Sequence, residues 1–147
     1  KSYSTILQTY SHYPYYSEID SIIHDFFHSG INQLSVLNFI WITALLQKLN
    51  IQINITKSSS LNINSSSNQM LLDCIKYVDG TTYLSGDGAA GYFQVEHFQN
   101  SGIDVEFNRF KIFEYKQPKT NNFIGGLSII DAVASCGFDS IRRAISL

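Results

Sequence analysis

The sequence predicts an α/β fold: a small, mostly parallel sheet with helices, preceded by two N-terminal helices. Three observations lead there. Apolar residues recur at helical spacing over residues 17–27 and 32–49. Short β-branched or aromatic runs then alternate with helical segments, an order that builds parallel strands through crossover connections. Gly or Pro stands at most of the junctions between them. At 147 residues the chain has the size of one ordinary domain, so residues 1–147 are expected to form a single α/β domain. It opens on Lys1 rather than Met, which reads as an internal point of a longer polypeptide.

Each element has a local reason. Pro14 disfavours helix at Tyr13, so the tyrosine-rich opening TILQTYSHYPYYSEI is a break between two elements. Ser17 can cap a helix through Phe27 that turns Ile19, Ile22, Ile23, Phe26 and Phe27 inward, and Gly30 ends it. A second helix, from about Asn32 to Leu49, carries Leu34, Leu37, Trp41, Leu45 and Leu49 on one stripe. Val36, Phe39, Ile40 and Ile42 widen that stripe, so the helix is expected to be buried at the centre of the domain. Ser35, Asn38, Thr43 and Gln47 interrupt the run, which falls short of the roughly 18 apolar residues that span a bilayer; no membrane span is expected.

IQINIT (51–56) alternates apolar and polar residues and reads as a strand. After a serine-rich loop, Ser66-x-x-Gln69 has capping-box spacing for a helix that Gly80 closes. TTYLS is the next strand, followed by a helix from Gly88 to about Asn100 and a strand from Ile103 to Phe107, extensible to Phe113. LSIIDAVASC is a late helix ended by Gly137, and DSIRRAISL adds a short terminal one.

Composition narrows the function classes. Charged residues are only 15% of the chain, against roughly 25% in a typical domain, and the net charge is -2. No basic stripe is present to hold a phosphate backbone, so nucleic acid is not an expected partner. Cys74 and Cys136 lack a CxxC partner and read as ordinary thiols of a reducing, cytoplasmic compartment. His24 and His28 are four apart on a helix face, a spacing that can bind metal, but no third ligand joins them and no metal site is expected.

Several residues could carry chemistry. Ser85-Gly86-Asp87-Gly88 lies where a strand gives way to a helix, the place where α/β sheets bind ligands; it reads either as a structural turn or as an anion or sugar-hydroxyl site. Ser128-x-x-Asp131 has the residue types of a nucleophile and a base, and equally the spacing of a capping box. Tyr115 and Gln117 alternate on a strand or strand exit, so a phenol and an amide share one side. They can bind a sugar ring or nucleobase, or brace the loop that follows. Tyr10, Tyr13, Tyr15 and Tyr16 form an aromatic cluster around Pro14.

Taken in order, these segments resemble the WbqC-like proteins of bacterial surface-polysaccharide gene clusters. The resemblance lies in Tyr10, Pro14, Tyr15 and Tyr16, the stretch from Ile51 to Leu61, and Leu71 to Gly86. It continues through Tyr92, Phe98, Gly102-Ile103, Tyr115, Gln117, Phe123 and Leu127 to Asp131. It covers what looks like the C-terminal two-thirds of such a protein, and His12 and Asp87 depart from the commoner family residues. The resemblance implies a part in O-antigen or related cell-surface glycan biosynthesis, as a transferase that modifies an amino sugar on a nucleotide carrier. It implies a site drawn from Tyr10, Ser85, Gly86, Tyr115 and Gln117 as substrate-binding residues, with Asp131 and Ser128 as catalytic ones. A nucleotide sugar or an acyl donor would be the substrate; no cofactor is specified. The alternative is a non-catalytic scaffold or specificity module for a pathway enzyme, which the aromatic-rich, charge-poor composition would suit.

Overall fold

A computed structural model describes residues 2–86 and 94–145. Among them are six α-helices and a two-stranded parallel sheet, a mixed and helix-rich α/β architecture in which three of the helices precede the rest at the N-terminus. The helices are α1 (Ser2–Tyr10), α2 (Tyr16–His28), α3 (Leu34–Lys48), α4 (Ser67–Tyr77), α5 (Val95–Gln99) and α6 (Ile129–Ile145). The strands are β1 (Thr82–Gly86) and β2 (Asp104–Asn108). Two compact units divide the chain: residues 1–53 with 112–147, and residues 54–111. Asp87, Gly88, Tyr92 and the first turn of the helix expected from Gly88 lie outside the described residues.

The first unit is helical. Its core joins Tyr13, Tyr16, Ile19 and Ile23 to Val133, Ala134, Phe138 and Ile141, so α2 and α6 are the principal packing pair. Pro14 keeps the chain out of helix between α1 and α2, as its sequence position requires. Gly30, with φ 69, stops the chain just past α2.

α6 is broken at Gly137, whose φ 76 and ψ 162 lie in a region open essentially to glycine alone. Two helical pieces meet there, one for each of the segments the sequence separates at this glycine. The broken end is closed from α2: the Phe138 amide donates to Glu18 Oε2 at 2.8 Å, and the Tyr15 amide donates to the Ala134 carbonyl at 3.0 Å. A Cβ on Gly137 would sit 2.9 Å from Tyr15 Cδ1 and 3.1 Å from Glu18 Oε1.

α3 departs from expectation. None of its residues is buried, and Leu34 is 64% exposed, with Ile40 and Ile42 also facing solvent. Only the edge carrying Trp41, Leu45 and Leu49 packs on the core, where Trp41 meets Phe26 edge to face at 5.6 Å. An all-round apolar helix needs cover on every side, and the other three helices of this unit cover one.

The strand expected over residues 51–56 does not form. The reason is the end of α3. Asn50 adopts φ 57, its amide bonds to the Gln47 carbonyl, and the Ile51 amide bonds to the Leu46 carbonyl, the paired closure of a Schellman motif. The segment begins as a helix terminus, and no described strand pairs with it.

The second unit holds the sheet. β1 and β2 run parallel, in register from Thr82 opposite Asp104 to Gly86 opposite Asn108, with α5 in the connection, as the strand–helix–strand pattern requires. β2 ends at Asn108, short of Phe113. Leu72, Phe98 and Ile103 form this unit's core, and Tyr83 stacks on Phe98 with ring centroids 5.4 Å apart.

α4 starts at Ser66 without a side-chain cap. Gln69 instead donates to Asp73 Oδ1 at 2.7 Å and pairs with His97 Nε2 at 3.0 Å, so the capping box does not form. Asp79 takes the left-handed position (φ 53) at the end of α4 expected of Gly80, whose amide bonds back to the Ile75 carbonyl.

The Gly137 break gives a direct expectation for stability. Gly137→Ala should lower the unfolding free energy by about 2–3 kcal/mol, because it adds both backbone strain and a steric clash. Glu18→Ala should cost about 1 kcal/mol, the usual worth of a helix cap. Urea titrations of both variants against the parent check this, and a Gly137→Ala chain as stable as the parent would refute it.

Candidate functional site

Four of the residues singled out in the sequence meet at one carboxylate. Asp131 lies in the first turn of α6 with 3% of its surface exposed. Tyr115 donates its hydroxyl to Asp131 Oδ1 at 2.8 Å, and Gln117 Nε2 donates to the same oxygen at 3.3 Å. Tyr10, at the end of α1, completes the group. Burial first, and then the Asp131 charge, raises its phenol pKa, and the same two causes raise that of Tyr13.

The carboxylate therefore sits among phenols and an amide. Its nearest partners are neutral donors, which satisfy it by hydrogen bonding rather than by ion pairing. Burial, followed by the bond to Asp131, pushes the Tyr115 phenol up to about 12, while the Gln117 contact pulls the other way. Cys136, one and a half turns along α6, has its thiol pushed up by burial and then by Glu18 and Asp131. Its Sγ donates to the Ala132 carbonyl at 3.1 Å, so it is an inert helix thiol rather than a nucleophile.

Gln117 has a second task. Its Oε1 accepts the Ile124 amide at 2.8 Å and its Nε2 donates to the Ile124 carbonyl at 3.0 Å, closing the segment between them as a neighbouring strand would. Thr120 adds a hydroxyl bond to the same Oε1 at 3.3 Å. With 5% of its surface exposed, Gln117 braces this loop and reaches Asp131 from inside. Tyr115 and Gln117 are not on a strand; residues 109–116 have no regular pairing. Tyr115 is held by Phe123, whose ring meets it edge to face at 5.3 Å.

Ser128 lies three residues before Asp131, but the capping box is only half formed. Its hydroxyl oxygen accepts the Ile130 amide at 3.3 Å, an N-cap bond, while the Asp131 carboxylate turns inward to Tyr115 and Gln117. Ser85 and Gly86 belong to the other unit. Ser85 is 1% exposed, and its hydroxyl makes a long 3.4 Å contact with the Gly86 carbonyl; Gly86 has open space where a side chain would stand.

His24 and His28 stack at 4.3 Å, and among the described residues no cluster of three metal-ligating side chains occurs. Sequence reasoning missed Glu18 and Lys119. Lys119 Nζ donates to the Thr9 carbonyl at 2.8 Å and lies 5.6 Å from the centre of the Tyr13 ring, tying the loop to the end of α1. Neither residue stands in a local pattern that marks a partner more than a hundred positions away.

The model of the WbqC-like protein family matches residues 1–143. No curated protein matches the chain, and no solved structure matches it.

The Tyr115–Asp131 pair should be visible in titration. Tyr115 has a folded-state pKa of about 12 against an ordinary 10.0, so its contribution to stability is intact below pH 10 and is lost as pH rises toward 12. Asp131→Asn keeps an acceptor oxygen but discards the charge. It should lower the Tyr115 pKa and cost about 1–2 kcal/mol near neutrality, the difference between a charge-assisted and a neutral bond. Tyrosinate absorbance with Tyr115→Phe as the reference, and urea titration across pH, measure both. An unchanged Tyr115 titration in Asp131→Asn would contradict the pairing.

Proposed function

The chain belongs to the WbqC-like protein family, and from that premise we propose that it acts in cytoplasmic steps of bacterial cell-surface polysaccharide (O-antigen) biosynthesis, as a transferase that modifies a nucleotide-linked amino sugar. One observation supports the reading above the others: Tyr10, Tyr115, Gln117 and Asp131 come from separate parts of the sequence and share one buried carboxylate. A carboxylate in a dry site with positioned donors has the make-up of a general base, and acyl or glycosyl transfer to a sugar amine requires removal of a proton.

In this reading Asp131 takes the proton, Tyr115 and Tyr10 orient the sugar, and Gln117 holds the Tyr115 loop in place. Ser128 supplies a further hydroxyl contact to the substrate. Among the described residues no helix is long and apolar enough to cross a membrane. A nucleotide sugar and an acyl donor are the proposed substrates.

A second reading rests on α3. Leu34, Ile40 and Ile42 leave an apolar face open to solvent, which suits a scaffold or specificity module that holds a pathway enzyme.

The two readings separate in a thermal-shift screen of the chain against nucleotide sugars, acyl donors and amino acids. The transfer reading expects a nucleotide-linked amino sugar to raise the melting temperature, and Tyr115→Phe to weaken that shift. It also expects Asp131→Asn to cut turnover about 100-fold or more, with binding changed far less. If Asp131→Asn melts earlier yet binds and turns over like the parent, Asp131 is a structural residue and the transfer assignment fails there. Silence across the screen, with a purified pathway enzyme bound through α3, would carry the scaffold.

A further inference from the structure

Beside the Asp131 cluster, the first unit contains a cavity of about 240 Å³ between α1, α2, α3 and the start of α6. Its walls are apolar side chains, chiefly Ile6, Phe26, Trp41 and Ile130; Asn38 and Ser128 are the polar groups in its lining. Phe26 and Trp41 meet edge to face at 5.6 Å, which fixes the aromatic wall between α2 and α3.

The lining selects a ligand class. An apolar cavity of about 150 Å³ takes a molecule the size of benzene, so this one has room for an apolar group of roughly six to eight heavy atoms. No Lys, Arg or His is in the lining, and a carboxylate or phosphate set against these walls would have no counter-charge. Asn38 and Ser128 are both solvent-exposed and so stand at the mouth. The Ser128 oxygen accepts the Ile130 amide, which leaves the hydroxyl proton to donate outward, and the Asn38 amide offers two more donors. A neutral carbonyl at the mouth with an alkyl chain behind it matches that arrangement.

We propose that this cavity binds a short neutral acyl group, its chain against Phe26 and Trp41 and its carbonyl between Asn38 and Ser128. The site extends the transfer reading by naming the chemical class of an acyl donor. It concerns binding alone, so its failure and the failure of that reading are separate results.

Trp41 is the single tryptophan of the chain and lines the cavity, so its fluorescence reports occupancy directly. Hexanamide is the probe, with hexanoate and glucosamine as comparisons. Hexanamide should change Trp41 emission saturably, hexanoate at pH 7 should bind at least about 10-fold more weakly because its charge is uncompensated, and glucosamine should give no change. Asn38→Phe, at an exposed position, should fill the mouth and abolish the response. Ser128→Ala should weaken hexanamide about five-fold and serves as the second variant if Asn38→Phe melts abnormally.

Three results overturn the site: no saturable response to hexanamide, equal affinity for hexanoate, or a response that survives both substitutions in natively melting protein. A hexanamide response together with silence toward every nucleotide sugar would keep the cavity and remove the transfer reading.

Discussion

The arrangement of the first unit depends on a single backbone conformation, that of Gly137. An unbroken helix from Ile129 to Ile145 would carry its apolar side chains along one continuous stripe. The φ 76, ψ 162 geometry instead redirects the chain after Cys136, so that Phe138 and Ile141 as well as Val133 and Ala134 reach the same core. Breaking a helix exposes amides that need acceptors. Glu18 provides one for Phe138, and because Glu18 sits in the first turn of α2, the cap also fixes the packing of α2 on α6. Ile19, the next residue, and Ile23, about one turn beyond it, are then fully buried.

Asp131 is set by the same geometry one and a half turns before the break. A buried carboxylate is costly unless its lone pairs are filled, and here neutral donors fill them. Those donors come from the 109–128 segment, which has little regular structure of its own. The carboxylate therefore organises the segment: Tyr115 is drawn to it directly, and Gln117 both reaches it and clamps Ile124. The high phenol pKa of Tyr115 expresses the same arrangement, since a tyrosinate beside a buried carboxylate would be two like charges in a poorly solvated place.

What was legible in the sequence follows how local each cause is. The break at Pro14, the end of α2 at Gly30, the break at Gly137 and the parallel pairing of β1 with β2 each follow from a residue or pattern acting on its own neighbourhood. Periodicity misled where the outcome depends on what surrounds an element. α3 is apolar all round yet has no buried residue, and IQINIT alternates like a strand but has no strand beside it. Capping boxes failed for a related reason: at Gln69 and at Asp131 a tertiary partner outcompeted the local backbone. The convergence of Tyr10, Tyr115, Gln117 and Asp131 was legible only as a set of names. The Glu18 cap on Phe138 links positions 120 apart and left no local trace.

The first turn of α6 is where the structural and chemical roles press hardest on each other. Ser128 and Ile130 face the apolar cavity while Asp131, the next residue round the helix, faces the phenols. A base must come within hydrogen-bond reach of the proton it takes, and with 3% of its surface exposed Asp131 meets no bulk solvent. Of its partners, Gln117 is also buried, whereas Tyr115 and Tyr10 are each only partly covered. In the transfer reading a substrate therefore reaches Asp131 through a phenol or by displacing one. The segment that Gln117 clamps at Ile124 carries Phe123, whose ring packs on Tyr115, so the clamp bears on how firmly that phenol is held over the carboxylate.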